Sequence, residues 1–311
     1  MSGSVFQPEQ DGISDAEWQE LVARVSDGGR LFFSENQLYL AYARNKVVVT
    51  RYIARRGVIG LFMIVIGLGA WVYSLKGDWG IMLVLGIAVT LTGVGMVGTG
   101  VVTKRDPASR EPVARWLAKW TAQRGDQKLI REATLGENGS QYFPAQVACL
   151  VIVQREPLVD LLLKNGAHAS LSALIVSESG YPEALAKEAR SSLNARADLK
   201  VIVVHDATPQ GVAMVARLQK SSTFPLAQRS VLDAGLFPAD VTWLAELAPA
   251  IPAAHTSDVP VDSLSFEALL VGLRGVANGE LSLYTAIEAA RASDAANALG
   301  DVTSAASQVT P

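Results

Sequence analysis

The stretch KVIVVHDATPQG, residues 200–211, decides the fold. Val201 to Val204 form an unbroken β-branched run, which reads as a strand buried on both faces, and Pro209 opens a helix directly after it. The polar residues between them, His205, Asp206 and Thr208, therefore fall at the carboxyl end of the strand. The same unit recurs on either side. Upstream, residues 148–153 read as a strand followed by a helix at 157–164. Residues 171–176 read as a second strand, followed by a helix at 182–194 with Leu185, Ala189 and Leu193 on one face. Downstream, the helix opened by Pro209 turns Val212, Val215 and Leu218 inward, and residues 229–232 supply a short fourth strand. Apolar strands alternating with proline-started helices predict an α/β, Rossmann-like parallel sheet with helices on both faces, over residues 148–250.

In open parallel sheets, ligands gather at the carboxyl ends of the strands. Here those ends read Gln154-Arg155-Glu156, Ser177-Glu178-Ser179-Gly180-Tyr181-Pro182, and His205-Asp206-Ala207-Thr208-Pro209-Gln210-Gly211. Their order and spacing resemble the TOPRIM domain of the topoisomerase VI A subunit and its meiotic recombination relatives. In that family the first strand ends in Val-Glu-Lys, the next leads to Gly-Tyr-Pro, and the third ends in Asp-x-Asp-Pro-x-Gly. LDAGLFPADV at 232–241 resembles the same family's Leu-Gly-Leu-x-Pro-x-Asp-Val, so the resemblance covers roughly residues 148–245.

The resemblance implies a ligand cleft made of Gln154, Glu178, Gly180, Tyr181, Pro182, Asp206, Thr208 and Gly211, and it places the family's three metal-linked carboxylates at Gln154, Asp206 and Thr208. Only Asp206 is a carboxylate. Magnesium takes a hard, anionic oxygen shell and neutralises charge developing on a phosphodiester, which an amide, a hydroxyl and one carboxylate serve poorly. This departure predicts a domain that has lost its metal site, holds no cofactor, and acts as a non-catalytic binding or assembly module. The alternative is a magnesium-dependent phosphodiester or nucleotide enzyme using Glu178 with Asp206; Glu156 lies two residues beyond the matching position. Tyrosine-linked strand cleavage would need a separate winged-helix domain, for which the roughly forty residues before the first strand leave little room.

Other chemistry finds little purchase. His205 and Asp206 are adjacent, so on a strand they point to opposite faces, and His205 reads as a packed histidine. His168 and His255 have no ligand spacing, and a single cysteine, Cys149, excludes an internal disulfide and reads as a small buried hydrophobe. The Gly180-Tyr181-Pro182 turn presents helix-start amides to an anion. Phosphate-cradling P-loop, Gly-x-Gly-x-x-Gly and Gly-x-Ser-x-Gly motifs are absent from the sequence. The chain carries a formal net charge of −3, and from Asp106 onward 17 basic residues face 22 acidic ones, which argues against nucleic acid as a partner.

Half the residues are hydrophobic and only 18% charged. Residues 57–75 and 79–103 are uncharged and long enough to cross a bilayer as helices, so a two-span hairpin is expected, contacting membrane lipids. Arg51, Arg55 and Arg56 before it, and Lys104, Arg105 and Arg110 after it, predict an inner (cytoplasmic) membrane protein with both termini cytoplasmic. Gly60, Gly67 and Ser74, and Gly86, Gly93 and Gly100, recur every seven residues as stripes for transmembrane packing. The same stripes would serve a homo-oligomer, which gives a third reading, an oligomeric membrane effector.

The remaining segments follow from spacing. Residues 1–14 read as loose, and Ser14-Asp15-Ala16-Glu17 has capping-box spacing before a docking helix with Trp18, Leu21, Val22 and Val25 on one side. A helix is expected from Glu35 towards residue 56, making 1–56 an N-terminal cytoplasmic segment. Pro112 starts a helix carrying Trp116, Leu117 and Trp120 within a membrane-proximal linker at 104–147. Residues 247–260 read as a linker, 262–276 and 281–292 as helices of a C-terminal segment (251–295), and 296–311 as a disordered tail. The sheet-facing stripe there is Phe266, Leu269, Leu270 and Leu273, and the partner expected for the whole is a cytosolic protein.

Overall fold

In the computed structural model, Ser14 caps helix α1 (Asp15–Val25) with the expected capping box: its hydroxyl accepts from Glu17 N, and Glu17 accepts from Ser14 N at 2.8 Å. The structure describes residues 4–45, 59, 61–66, 68, 87, 89–92, 110–125, 128–136, 139–244, 247, 251 and 253–294. These belong to two units, Met1–Ala41 with Arg110–Pro311, and Tyr42–Ser109.

Within the first unit the N-terminal segment is not loose. Val5 and Phe6 are buried, and both of their amides donate to the Asp15 carboxylate, at 3.0 and 2.7 Å. Phe6 meets Trp18 at 5.6 Å between ring centroids, and the pair packs on helix α2 (Arg110–Arg124), Phe6 against Trp120 and Trp18 against Trp116 and Trp120, at 6.1 to 6.4 Å. The Trp116 indole N–H donates to Asp11 O at 2.8 Å. An aromatic cluster thus joins two segments separated by more than ninety residues of sequence. The spacing of each helix shows its own apolar face but not its partner's. Strand β1 (Phe33–Ser34) pairs in parallel with β2 (Leu129–Ile130), and a helix runs from 35 towards residue 45.

The main sheet has four parallel strands, β3 (Cys149–Val153), β4 (Ala173–Ser177), β5 (Lys200–Val204) and β6 (Val231–Asp233), in the order β4-β3-β5-β6. Val151 sits opposite Ile175 on one side and Ile202 on the other, and Ile202 opposite Leu232. Every residue of β3 and β4 is buried, as continuous Val, Ile and Leu runs require when helices cover both faces. The covering helices are α3 (Glu156–Lys164), α4 (Glu183–Ala195), α5 (Met214–Lys220) and α6 (Phe266–Ala277). The α/β parallel sheet expected from the sequence is therefore present. One helix differs: the turn opened by Pro209 ends at Val212 and restarts at Met214, so Met214 and Leu218 face inward while Val212 is exposed.

The C-terminal part also departs from expectation. Residues 253–263 are not a plain linker: 3₁₀ turns at Ala253–Asp258 and Val261–Ser263 flank Val259, which bridges to Ala207 at the end of β5. Helix α6 then starts at a Ser265 cap and packs on β5. Gly272 and Gly275 admit Leu283 and Ala286 of the following helix, 283–294; a Cβ on either glycine would come within 2.5 Å of them.

The expected transmembrane hairpin is corrected. A crossing needs about twenty consecutive apolar helical residues. Among the described residues no helix is long and apolar enough to cross a membrane. The two-span hairpin, the inner-membrane location and the transmembrane character expected of the chain are accordingly not supported. Much of 57–75 and 79–103, all six small residues Gly60, Gly67, Ser74, Gly86, Gly93 and Gly100, and the tail 296–311 lie outside the described residues. Of those that are described, Leu61, Phe62, Val65 and Leu91 have exposed side chains.

Candidate functional site

The chain leaves β3 towards β4 on one side and later returns to place β5 on the other, so the strand order reverses between β3 and β5. That is the point at which a parallel sheet opens a crevice at its carboxyl ends. Gln154 and Arg155 leave β3 there, and His205 and Asp206 leave β5.

Arg155 fills the crevice. Its Nε donates to Asp206 Oδ2 at 2.7 Å and its Nη2 to Asp206 Oδ1 at 3.2 Å; Nη2 also donates to Asp262 Oδ1 in a short ion pair. Asp206 and Asp262 have side chains only 7% and 6% exposed, against 32% for Arg155. Burial works against the charge on Arg155, but Asp262 and Asp206 together outweigh it, so the guanidinium is held more firmly protonated than usual. The Asp206 carboxylate also accepts from Val261 N at 2.8 Å, and Asp262 from Asn36 Nδ2 at 3.1 Å. Ser34 Oγ and Gln37 Nε2 donate to the carbonyls of Asp262 and Leu264. The Asp206 crevice is thus tied to the residues around β1.

The other residues expected in the cleft are also engaged. Gln154 Oε1 accepts from Asp206 N at 2.9 Å, and Thr208 Oγ1 accepts from Gly211 N at 2.9 Å as a helix cap. Gly211 is required by contact, since a Cβ there would lie 2.1 Å from Asp206 O. Glu178 accepts a bidentate pair from Arg217, at 3.0 and 2.8 Å. Gly180 takes φ +91°, a left-handed conformation that suits glycine, before the cis Tyr181-Pro182 bond. Tyr181 turns its hydroxyl to Asp160 Oδ1 at 2.8 Å and accepts from Leu135 N at 2.7 Å. Burial, reinforced by Asp160, pushes the Tyr181 phenol up in pKa. Asp160 is fully buried and also accepts from Thr134 N and Oγ1, both at 2.8 Å. Glu156 accepts from Ser179 Oγ at 2.7 Å.

No family model, no curated protein and no solved structure matches this chain. The site is therefore read from its own geometry.

His205 is fully buried, with Nδ1 2.8 Å from Asp206 O and Nε2 3.1 Å from Asp233 Oδ1. Nδ1 faces a carbonyl that can only accept, whereas Nε2 has the Asp233 carboxylate nearby without a hydrogen bond to it, so that carboxylate favours the imidazolium by charge. Burial opposes that charge, yet Asp233 and the Asp206 carbonyl outweigh it, and the His205 pKa is raised. The ring meets Phe237 edge-on at 5.2 Å and leaves no room for a side chain at Gly235. His168 packs edge-on to Tyr142, and burial pushes the Cys149 thiol up to about 11.

The donor set does not fit the magnesium ion implied by the resemblance. Gln154 Oε1 and Thr208 Oγ1 are spent on backbone amides, and both oxygens of Asp206 already accept from a guanidinium. Among the described residues no group of three or more His, Cys, Asp or Glu is arranged to hold a metal. Sequence reading missed Asp262, Arg217, Asp160 and the role of Arg155. The available signal was charge: Arg155 directly follows Gln154, where the resemblance places a carboxylate, and Asp262 follows Pro260 in a segment poor in basic partners.

Proposed function

We propose that residues 148–245 form a TOPRIM-like module without a complete metal site, serving as a non-catalytic binding or assembly platform for a protein partner. The observation that carries this reading is the bidentate grip of Arg155 on Asp206. Its counterpart, Arg217 on Glu178, spends the second carboxylate that a phosphodiester or nucleotide enzyme would use. A divalent ion would therefore have to displace an arginine from each carboxylate before binding. Exposed apolar side chains on the segments leaving β5 and β6, Val212 at 42% and Trp243 at 70%, supply the surface a protein partner would use.

The test is calorimetric titration of the full chain with magnesium and manganese, alongside assays for cleavage of single- and double-stranded DNA and for nucleotide hydrolysis. No binding up to millimolar metal and no turnover is expected. Metal-dependent cleavage abolished by Asp206→Asn would overturn the reading and restore the enzyme.

A further inference from the structure

We infer that His205 is a pH-operated latch that holds residues 233–241, the segment leading from β6 to the exposed Trp243, against the end of β5. The segment encloses the ring. Asp233 sets Oδ1 3.1 Å from Nε2, Gly235 passes so close that a Cβ would lie 2.1 Å from the ring, and Phe237 meets it edge-on at 5.2 Å. The main chain follows the same path: Ala234 N donates to Val203 O at 2.8 Å and Leu236 N to His205 O at 2.9 Å. The imidazole is fully buried, yet Nε2 has no hydrogen-bond partner among the described residues. An apolar side chain would fill the same space without leaving a buried polar atom unpaired. What a histidine adds is a charge that can be switched off.

The charged groups around the ring come from several elements. Asp233 at the end of β6 faces Nε2. Asp206, next along the exit of β5, turns its carbonyl to Nδ1 and gives its carboxylate to Arg155 from the end of β3. Asp240 lies on the helical turn Pro238–Val241, where burial pushes its carboxyl up in pKa. Because Nδ1 faces a carbonyl that only accepts, the neutral ring keeps its proton there, and the proton that leaves is the one on Nε2, directly across from Asp233. With that proton on, ring and carboxylate attract across the joint between β5 and the segment; without it, a neutral ring is left and the attraction goes. The latch is therefore fully closed below about pH 6.5 and loosens as the pH rises through the raised folded value. It works without a partner. Its bearing on one, through Trp243 at 70% exposure, rests on the reading of residues 148–245 as a binding platform.

The test is hydrogen-deuterium exchange of the full chain, read by mass spectrometry as protection factors, which remove the intrinsic pH dependence of exchange. Wild type, Asp233→Asn and Asp240→Asn are compared at about pH 6 and about pH 8.5, either side of a histidine titration, with and without urea at about 1 M, below the unfolding transition. In wild type, peptides covering 234–241 are expected to lose about threefold or more of their protection at the higher pH, with little response to urea, since a local opening exposes little surface. Cys149–Val153 of β3, which opens only with the whole sheet, is expected to respond strongly to urea. Asp233→Asn should show the same reduced protection of 234–241 at both pH values, and Asp240→Asn should keep the wild-type response. Exchange of 234–241 that tracks 149–153 with and without urea means that the segment opens only with the whole fold, and it overturns the inference. So does a pH response that survives in Asp233→Asn or vanishes in Asp240→Asn. Neither result touches metal binding or turnover, so the latch and the non-catalytic reading fail independently.

Discussion

Arg155 Nε stands 2.7 Å from Asp206 Oδ2 while Nη2 of the same side chain reaches Asp262, so one guanidinium joins the ends of β3 and β5 to the segment after Pro260. Removing Arg155 leaves two buried carboxylates without their cation, and Arg155→Met is expected to destabilise the protein by about 3 kcal/mol, the low end for buried pairs because Arg155 keeps some solvent. Asp262→Asn leaves a neutral Arg155–Asp206 pair and is expected to cost less, about 1.5 kcal/mol for the lost charge-assisted hydrogen bond. Urea denaturation of Arg155→Met, Asp262→Asn and the double variant measures this, and the two losses should add to more than that of the double variant. Strict additivity would mean that the two residues do not act on each other.

His205 gives the unit a pH dependence. Its folded-state pKa lies above the ordinary 6.5, because Asp233 and the Asp206 carbonyl outweigh burial. Stability from this pair is therefore fully present below about pH 6.5 and is lost as the pH rises through the raised value. Urea midpoints measured across pH 5.5 to 8.5, about the span of a histidine titration, should fall with pH, and Asp233→Asn should flatten the slope. An unchanged slope in the variant would remove Asp233 as the cause.

Two glycines are fixed by contact. A Cβ at Gly211 would come 2.1 Å from Asp206 O and 3.0 Å from Gln154 Oε1, and one at Gly235 would come 2.1 Å from the His205 ring. Backbone has to shift in the first case and the fully buried His205 ring in the second, so Gly211→Ala and Gly235→Ala are each expected to cost about 2–4 kcal/mol in urea denaturation. Gly136 carries φ +56° but has no atom within 4 Å of a built Cβ, so Gly136→Ala should cost only the strain of that backbone conformation, about 1 kcal/mol.

The sheet was legible because each strand is a run of β-branched and aliphatic residues followed by a proline, a pattern that depends only on local chemistry. Cys149–Val153, Lys200–Val204 and the Ser14 capping box lie where the sequence puts them, within a residue or two. What escaped was pairing across long sequence separations. Arg155 meets Asp262 across 107 residues, and Asn165 Oδ1 accepts from Phe32 N across 133; no spacing rule links such positions. Asp262 was hidden further because Leu247 to Pro260 is rich in alanine and proline, a composition shared by linkers and by segments that lie flat against a sheet edge. The apolar runs at 57–75 and 79–103 read as spans from hydropathy alone. Hydropathy reports the cost of exposure to water, and a crossing also needs an uninterrupted helix, which is not found among the described residues.

Tyr181 links the turn after β4 to Asp160, a buried carboxylate of helix α3 that no motif marks. Its hydroxyl donates to Asp160 Oδ1 at 2.8 Å and accepts from Leu135 N at 2.7 Å. Tyr181→Phe strips the acceptor from Leu135 N and leaves Asp160 with Thr134 and the more distant Lys164, 3.6 Å away. The expected loss is about 1–2 kcal/mol near neutral pH. Because burial and Asp160 raise the phenol above its ordinary pKa of 10.0, the contribution of the hydroxyl is fully present below pH 10 and declines above it. The gap in urea stability between wild type and Tyr181→Phe should therefore stay level up to about pH 10 and narrow only above it, as the pH rises towards the raised folded value. A gap that stays constant would mean that the folded phenol titrates like a free one, and that the Asp160 hydrogen bond does not hold in solution.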